Sequence, residues 1–240
     1  MADCKGVAAL SRSVVLGLNA FHADAAAALV VDGRVVAAAE EERFRRVKHF
    51  AGFPSEAIRW GLHDAGIDAR DVTHIAINSD GRRNLGARIR YALTRWPSPK
   101  LVLGSLRTRR RRAGVQQLLE QFLPGHRFQA SVVPVDHHRA HLASAYAVSG
   151  FDRALAVSVD GMGDFASAAW GVGADGRLVD RGRIAFPHSL GIFYQAMTQY
   201  LGFPNYGDEY KVMGLAPYGA PAFVDELRRV VHTGGDGRFV

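Results

Sequence analysis

Residues 14–39 read VVLGLNAFHADAAAALVVDGRVVAAA, and the fold class follows from how this stretch divides. Val14 to Ala20 is an apolar run with β-branched residues, the pattern of a buried strand. The polar turn Phe21-His22-Ala23-Asp24 interrupts it, and Ala25 to Val31 reads as a second strand. Asp32-Gly33 is a hairpin signal, because both residues tolerate positive φ, and Arg34 to Ala39 forms the third strand. The same grammar returns later. Arg153 to Val159 reads as a strand, Asp160 to Asp164 as a Gly-rich turn and Phe165 to Val172 as a strand. Asp175-Gly176 then predicts a hairpin and Arg177 to Ala185 a third strand. Asp24-Ala25-Ala26-Ala27-Ala28 matches Asp164-Phe165-Ala166-Ser167-Ala168 at an offset of 140, and the two Asp-Gly hairpins match at 143. Two such copies point to a duplicated α/β domain, in which each first turn can offer backbone N–H groups to a phosphate.

Between the copies the pattern is mixed. Pro54 to Ala65 predicts a helix stopped by Gly66, and Val72 to Asn78 a short strand. Arg82 to Leu123 reads as helix and loop, Ser131 to Val135 as a strand, and Leu142 to Ser149 as a helix. The run from Glu40 to His49 is dense in charge and reads as a solvated helix face.

Composition bounds the function classes. The chain has 240 residues, 48% hydrophobic and 22% charged, which fits a globular protein with a substantial core. The longest apolar run, Ala25 to Val31, is too short to span a bilayer, and no membrane partner is expected. A single cysteine, Cys4, excludes an internal disulfide and, with no export signal at the N-terminus, suggests a cytoplasmic setting. The net charge of +7 is local in origin: Arg82 to Arg112 holds eleven Lys or Arg and no acid, so the remainder carries +7 − 11 = −4. Arg outnumbers Lys 26 to 4, and no aromatic platform or RNA-binding motif accompanies the run. A solvated loop and helix face is therefore expected there, not a nucleic-acid partner.

The chemistry concentrates in a few stretches. In His137-His138-Arg139-Ala140-His141 a helix would bring His137 and His141, at i and i+4, onto one face where they can share a divalent metal. Asp160, ending a strand where a Gly-rich turn begins, is the candidate carboxylate that completes a facial site. His138 is expected to point to the opposite side. In Asp160-Gly161-Met162-Gly163-Asp164, Gly161 and Gly163 would let backbone approach a phosphate, and Asp164 could hold a metal or its water ligands. The run from Gly207 to Gly219 packs charge, glycine and aromatics, and its Lys211 could meet a phosphate as a point charge.

Taken together, these stretches resemble the O-carbamoyltransferases that include nodulation and antibiotic-tailoring enzymes. The resemblance rests on Leu16 to Asp24, the EEERF…KH run ending at His49, VDHHRAH at 135–141, VDGMGD at 159–164, HSLG at 188–191 and EYKVMGLAPYG at 209–219. They stand in family order from about residue 14 to 219. The resemblance implies an actin-like ATPase (ribonuclease H-like) duplicated fold, related to the synthase of threonylcarbamoyladenosine in tRNA. Its first half would span 1–150, with the basic insertion 82–112, and its second would begin at 151–240. It implies a divalent metal, iron by family habit, on His137, His141 and Asp160. Carbamoyl-adenylate would lie near Gly161, Gly163, Asp164, Lys211 and Gly214, and its carbamoyl group would pass to a hydroxyl of a small-molecule acceptor. His22 matches the family histidine that activates that hydroxyl, and Asp24, Lys48 and His49 are assigned to substrate. The family's His-Asp pair is here interrupted, as His22-Ala23-Asp24, which weakens the carry-over at His22. Family members are longer: a fourth ligand, an aspartate, and a YrdC-like domain making carbamoyl-adenylate from carbamoyl phosphate and ATP are expected beyond residue 240. The chain thus reads as incomplete at its carboxyl end, with a homodimer among the assemblies allowed. Two other readings are a catalytically inactive metal- or nucleotide-binding remnant and a tRNA threonylcarbamoyl-type transferase; against the latter, Arg139-Ala140 stands where that family has a glutamate.

Overall fold

The computed structural model describes residues 12–95 and 114–240; the arginine run at 107–112 lies outside the described residues. In chain order the first elements are β1 (Val14–Asn19), β2 (Ala26–Val31), β3 (Arg34–Glu40), α1 (Glu42–Arg45), α2 (Ser55–Asp64), β4 (His74–Ile77), α3 (Leu85–Arg95), α4 (Val115–Phe122) and β5 (Ser131–Pro134). They continue with α5 (His137–Val148), β6 (Arg153–Gly163), β7 (Ala166–Ala174), β8 (Arg177–Ala185), α6 (Leu190–Tyr200), α7 (Glu209–Leu215) and α8 (Val224–Leu227). These residues fall into two compact units, 12–78 with 114–134 and 79–95 with 135–240.

The first unit is built on a mixed sheet ordered β3-β2-β1-β4-β5. β1, β2 and β3 form an antiparallel meander, whereas β4 pairs parallel to β1 and β5 parallel to β4. Alternation explains the core: Val14, Leu16 and Leu18 of β1 are buried and their neighbours half-buried. They pack with Leu29, Ile75, Ile58 and Leu62 of α2, and Leu119 and Leu123 at the end of α4. The amphipathic faces of α2 and α4 are thus used up in one core.

In the second unit β6, β7 and β8 form an antiparallel three-stranded sheet. The two Asp-Gly hairpins adopt the same backbone, with φ of 49° and 82° at Asp32-Gly33 and 50° and 69° at Asp175-Gly176. Both central residues lie in the left-handed region, as a tight hairpin of strand-matching twist requires. β7 has 9 residues where β2 has 6, which accounts for the change of offset from 140 to 143.

The structure shortens one expected turn. β6 runs through to Gly163 instead of ending at Val159, with an irregular register between Val159 and Gly163. Only Asp164 and Phe165 make the reversal, at φ of 48° and 67°. Glycine tolerates the irregular strand, and the Phe165 ring is held edge-on by Tyr91 and Phe186, with centroids 5.6 and 5.5 Å away. The helix expected over Leu142 to Ser149 begins earlier, at His137, because Asp136 caps it: its side chain accepts from Arg139 N at 2.9 Å. Among the described residues no helix is long and apolar enough to cross a membrane.

Candidate metal centre

The cap at Asp136 sets the phase of α5, and that phase sorts the three histidines. His137 and His141 lie on one face with Nε2 atoms 3.1 Å apart. Asp160 Oδ2, from β6, stands 2.7 Å from His137 Nε2 and 3.8 Å from His141 Nε2. One ligand atom from each residue falls within 4.8 Å of the others. Ligands about 2.1 Å from a shared ion stand roughly 3 Å apart when adjacent, so this donor set fits one divalent cation.

The protonation states suit the same purpose. Hydrogen bonding to His137 holds the Asp160 carboxyl at about 2, against burial, with help from the Gly161 N–H and the two imidazoles. It is ionised throughout the neutral range. Burial, reinforced by the neighbouring His137, pushes His141 below its ordinary value and favours the neutral imidazole a metal needs.

His138 faces the other way and is a structural residue. Its Nε2 lies 2.9 Å from the Ala166 carbonyl and its Nδ1 2.9 Å from Ser158 Oγ. A carbonyl only accepts, so Nε2 carries the proton and Nδ1 accepts from the serine hydroxyl. Burial lowers the His138 pKa, which keeps this neutral tautomer.

Glycines let the elements approach. A Cβ on Gly163 would collide with the His137 ring, so the bare backbone there is what admits the imidazole. On Gly191 a Cβ would come within 2.6 Å of the Asp160 carbonyl, and this glycine lets α6 start against β6. Ser189 caps α6, accepting from Ile192 N at 3.1 Å while donating to the Gly161 carbonyl at 2.6 Å. Gly161 itself has open space where a side chain would be.

Asp136 is the centre of a charged network that the sequence did not advertise. Its Oδ2 lies 3.0 Å from Arg183 Nη1 and 3.5 Å from Arg83 Nε, and Arg139 pairs with Asp180 at 3.0 Å. Burial alone would raise the Asp136 carboxyl, but the Arg139 N–H and the Arg183 and Arg83 guanidiniums outweigh it and bring it below the usual range. An aspartate directly before a helix is a cap signal that could have revealed Asp136. Nothing local marks Arg183, 47 residues away.

The other sequence-predicted residues divide between the units. Asp164 has both carboxylate oxygens occupied by protein donors: Oδ1 accepts from Ser79 Oγ, and Oδ2 from Asp80 N and His137 N. Lys211 pairs with Asp208 at 2.6 Å, which raises the lysine and lowers the aspartate. Gly214 lies in α7 with open space around it. In the first unit, Asp24 Oδ1 lies 2.8 Å from His49 Nδ1, bringing together two residues 25 apart. His22 is half-buried beside it in the turn, and Lys48 is exposed. The loop at 49–52 ties this turn down, through Phe21 N to the Gly52 carbonyl at 3.0 Å and Ala25 N to the Phe50 carbonyl at 2.9 Å. The solvated face expected for Glu40 to His49 needs correction at Glu41. That side chain is fully buried, accepting from Ala57 N at 2.9 Å, Glu56 N at 3.2 Å and Arg45 Nε at 2.7 Å. It satisfies the free amides at the start of α2, where negative charge is favoured by the helix dipole.

The family described as carbamoyltransferase N-terminus matches residues 14–91 and 106–239. An uncharacterized protein of Synechocystis is 37% identical over 244 aligned positions, covering 94% of this chain and 38% of that protein. The nodulation protein NolNO of Sinorhizobium fredii is 36% identical over 209, covering 85% of this chain and 29% of its own length. The chain thus spans little more than a third of these relatives at most. Among solved structures, YeaZ from Pseudomonas aeruginosa is similar with a TM-score of 0.40 at 19% identity, over 73% of this chain and 68% of that one.

Proposed function

The chain belongs to the carbamoyltransferase N-terminus family, and from that premise we propose that it serves O-carbamoyl transfer from carbamoyl-adenylate to a hydroxyl of a small-molecule acceptor. The observation that carries the reading is the convergence of His137, His141 and Asp160 on one point, with one ligand atom of each within 4.8 Å of the others. The proposed fold is the duplicated actin-like ATPase. The sheet order β3-β2-β1-β4-β5, with β4 and β5 parallel to the first meander strand, supports it, as does the repeated meander β6-β7-β8.

In this reading His137, His141 and Asp160 hold a divalent ion, iron by family habit. When bound, the ion supplies positive charge for the phosphate oxygens of the departing AMP. The acceptor oxygen attacks the carbamoyl carbon, the bond from that carbon to the phosphate oxygen breaks, and AMP leaves with the bonding pair. His22 is proposed to take the acceptor proton, with Asp24, Lys48 and His49 orienting the acceptor. The pairing of His49 Nδ1 with Asp24 supports this grouping, because a carboxylate fixes the ring's tautomer and direction. Gly161 and Gly163 offer close backbone approach to a phosphate, and Lys211 and Gly214 are assigned to the nucleotide. Carbamoyl phosphate and ATP belong to the step that supplies carbamoyl-adenylate.

The test is to incubate the iron-loaded protein with synthetic carbamoyl-adenylate and a panel of sugar, aminoglycoside and polyketide alcohols. AMP release matched one-for-one by carbamoylated alcohol is the expected result. AMP release with no alcohol modified, across the panel and with water as the sole acceptor, would count against transfer.

A further inference from the structure

Asp164 closes the VDGMGD motif, and its chemistry differs from that of Asp160. Three protein donors engage its carboxylate: Ser79 Oγ at 2.8 Å, Asp80 N at 2.8 Å and His137 N at 2.9 Å. Its carbonyl also accepts from Asn84 Nδ2 at 2.8 Å. A carboxylate offers about four lone-pair sites, so three protein donors leave little capacity for a ligand. His137 N is the first amide of α5, where helix geometry turns the N–H groups outward to acceptors beyond the helix, here Asp164 Oδ2. Asp136 satisfies the third amide, Arg139 N, so two aspartates from separate parts of the unit build the first turn of α5. That turn carries the histidine whose Nε2 lies 2.7 Å from Asp160. The residue preceding Asp164 acts on the same ring, since Gly163 leaves the space His137 occupies.

We propose that Asp164 is a positioning residue for the metal centre: it fixes the first turn of α5, and through it the His137 ring, in register with Asp160, while tying the same turn to Ser79 and Asp80. The proposal rests on the reading of His137, His141 and Asp160 as metal ligands. It separates the two aspartates of one motif, Asp160 as ligand and Asp164 as the clasp behind the ligand. The left-handed backbone at Asp164, φ 48°, turns its carboxylate back toward α5. Because the ligand atoms lie about 3 Å apart, a slip of about 1 Å in the helix turn would open the donor set.

The experiment compares the wild-type chain with Asp164→Asn, which keeps the shape but presents an amide NH₂ to donors that need an acceptor. Cobalt(II) alone is the probe, with Kd from equilibrium dialysis and the visible cobalt spectrum read together. Amide exchange at His137 and Asp80 is followed in metal-free protein, and unfolding midpoints are recorded alongside. The expected result is a Kd weakened about 10- to 100-fold, a changed cobalt band, and faster exchange at both amides. Unchanged Kd and spectrum in a variant that binds cobalt would overturn the proposal whatever its unfolding midpoint. Should wild type bind no cobalt, the ligand reading itself fails; unchanged exchange at His137 would then also remove the clasp. If Asp164→Asn does not fold, Ser79→Ala, which removes one donor, is expected to shift the same readouts in the same direction by less. No shift there overturns the proposal.

Discussion

Asp24 and Asp164 occupy the same conformation 140 residues apart. Both are left-handed, at φ 61° and 48°, and each carbonyl accepts from an asparagine amide, Asn19 Nδ2 at 2.9 Å and Asn84 Nδ2 at 2.8 Å. Aspartate tolerates this region better than most residues, so the repeated strand–turn–strand brings the same residue type to the same place. The carboxylates have diverged. That of Asp164 is taken up by Ser79, Asp80 and His137, whereas that of Asp24 meets His49 and remains close to half exposed. One copy of the turn is committed to holding its own unit together, and the other keeps a polar pair near solvent.

Replacing both His137 and His141 by Ala is expected to abolish stoichiometric metal binding while leaving the β6-β7-β8 sheet intact. Metal content after dialysis, with circular dichroism as the folding control, checks it. Retention of one ion per chain would refute the assignment of the ligands.

His138→Phe is expected to act in the opposite way. The variant leaves Ser158 Oγ and the Ala166 carbonyl without their buried partner, which costs about 2 kcal/mol. Urea denaturation should show that loss, while metal bound per folded molecule stays near wild type. Equal loss of metal in His138→Phe and the double variant would show that the α5 phase assigned to the three histidines is wrong.

Glu41→Ala is expected to be among the more destabilising single changes in the first unit. It removes the acceptor of Glu56 N and Ala57 N and the carboxylate 2.7 Å from Arg45 Nε, leaving Arg45 the more distant Glu56 at 4.0 Å. The loss should be roughly 3 kcal/mol by chemical denaturation. Glu42→Ala, whose half-buried side chain accepts from the His49 amide at 3.1 Å, should cost clearly less. Equal effects would mean that burial of Glu41 contributes nothing specific.

The Asp208–Lys211 pair predicts an acid-side effect. Asp208 is lowered in the folded chain by its hydrogen bond with Lys211. Its contribution is therefore full above the ordinary aspartate value, about 4, and is lost as pH falls through the lower folded value. Lys211→Met should flatten the fall in stability between pH 4 and pH 2. A melting-temperature series over that range reads it; an unchanged slope would contradict the pairing.

Much of this was legible along the chain. The strands 14–39 and 153–185, both Asp-Gly hairpins and the His137/His141 spacing are local patterns: alternation, positive-φ residues and the 3.6-residue period act over a few positions. The pairing of Asp24 with His49 joins two residues 25 positions apart, and no local pattern links them. The tertiary partners of Asp136, Arg183 and Glu41 are likewise invisible in residue order. Asp136 stands inside VDHHRAH, where the histidines carry the visible signal, and Glu41 stands among identical neighbours in Glu40-Glu41-Glu42.

What the sequence by itself determined is the kind of elements, the two meanders with their Asp-Gly hairpins and the family, because these are written in residue order along the chain. The tertiary structure alone decided what the other acids do: Asp164 faces the helix amides, Asp136 the arginines and Glu41 the start of α2. A carboxylate has the same composition in all three places. Its role is set by the donors that surround it, and those arrive from residues up to 85 positions away, brought near only when the chain folds.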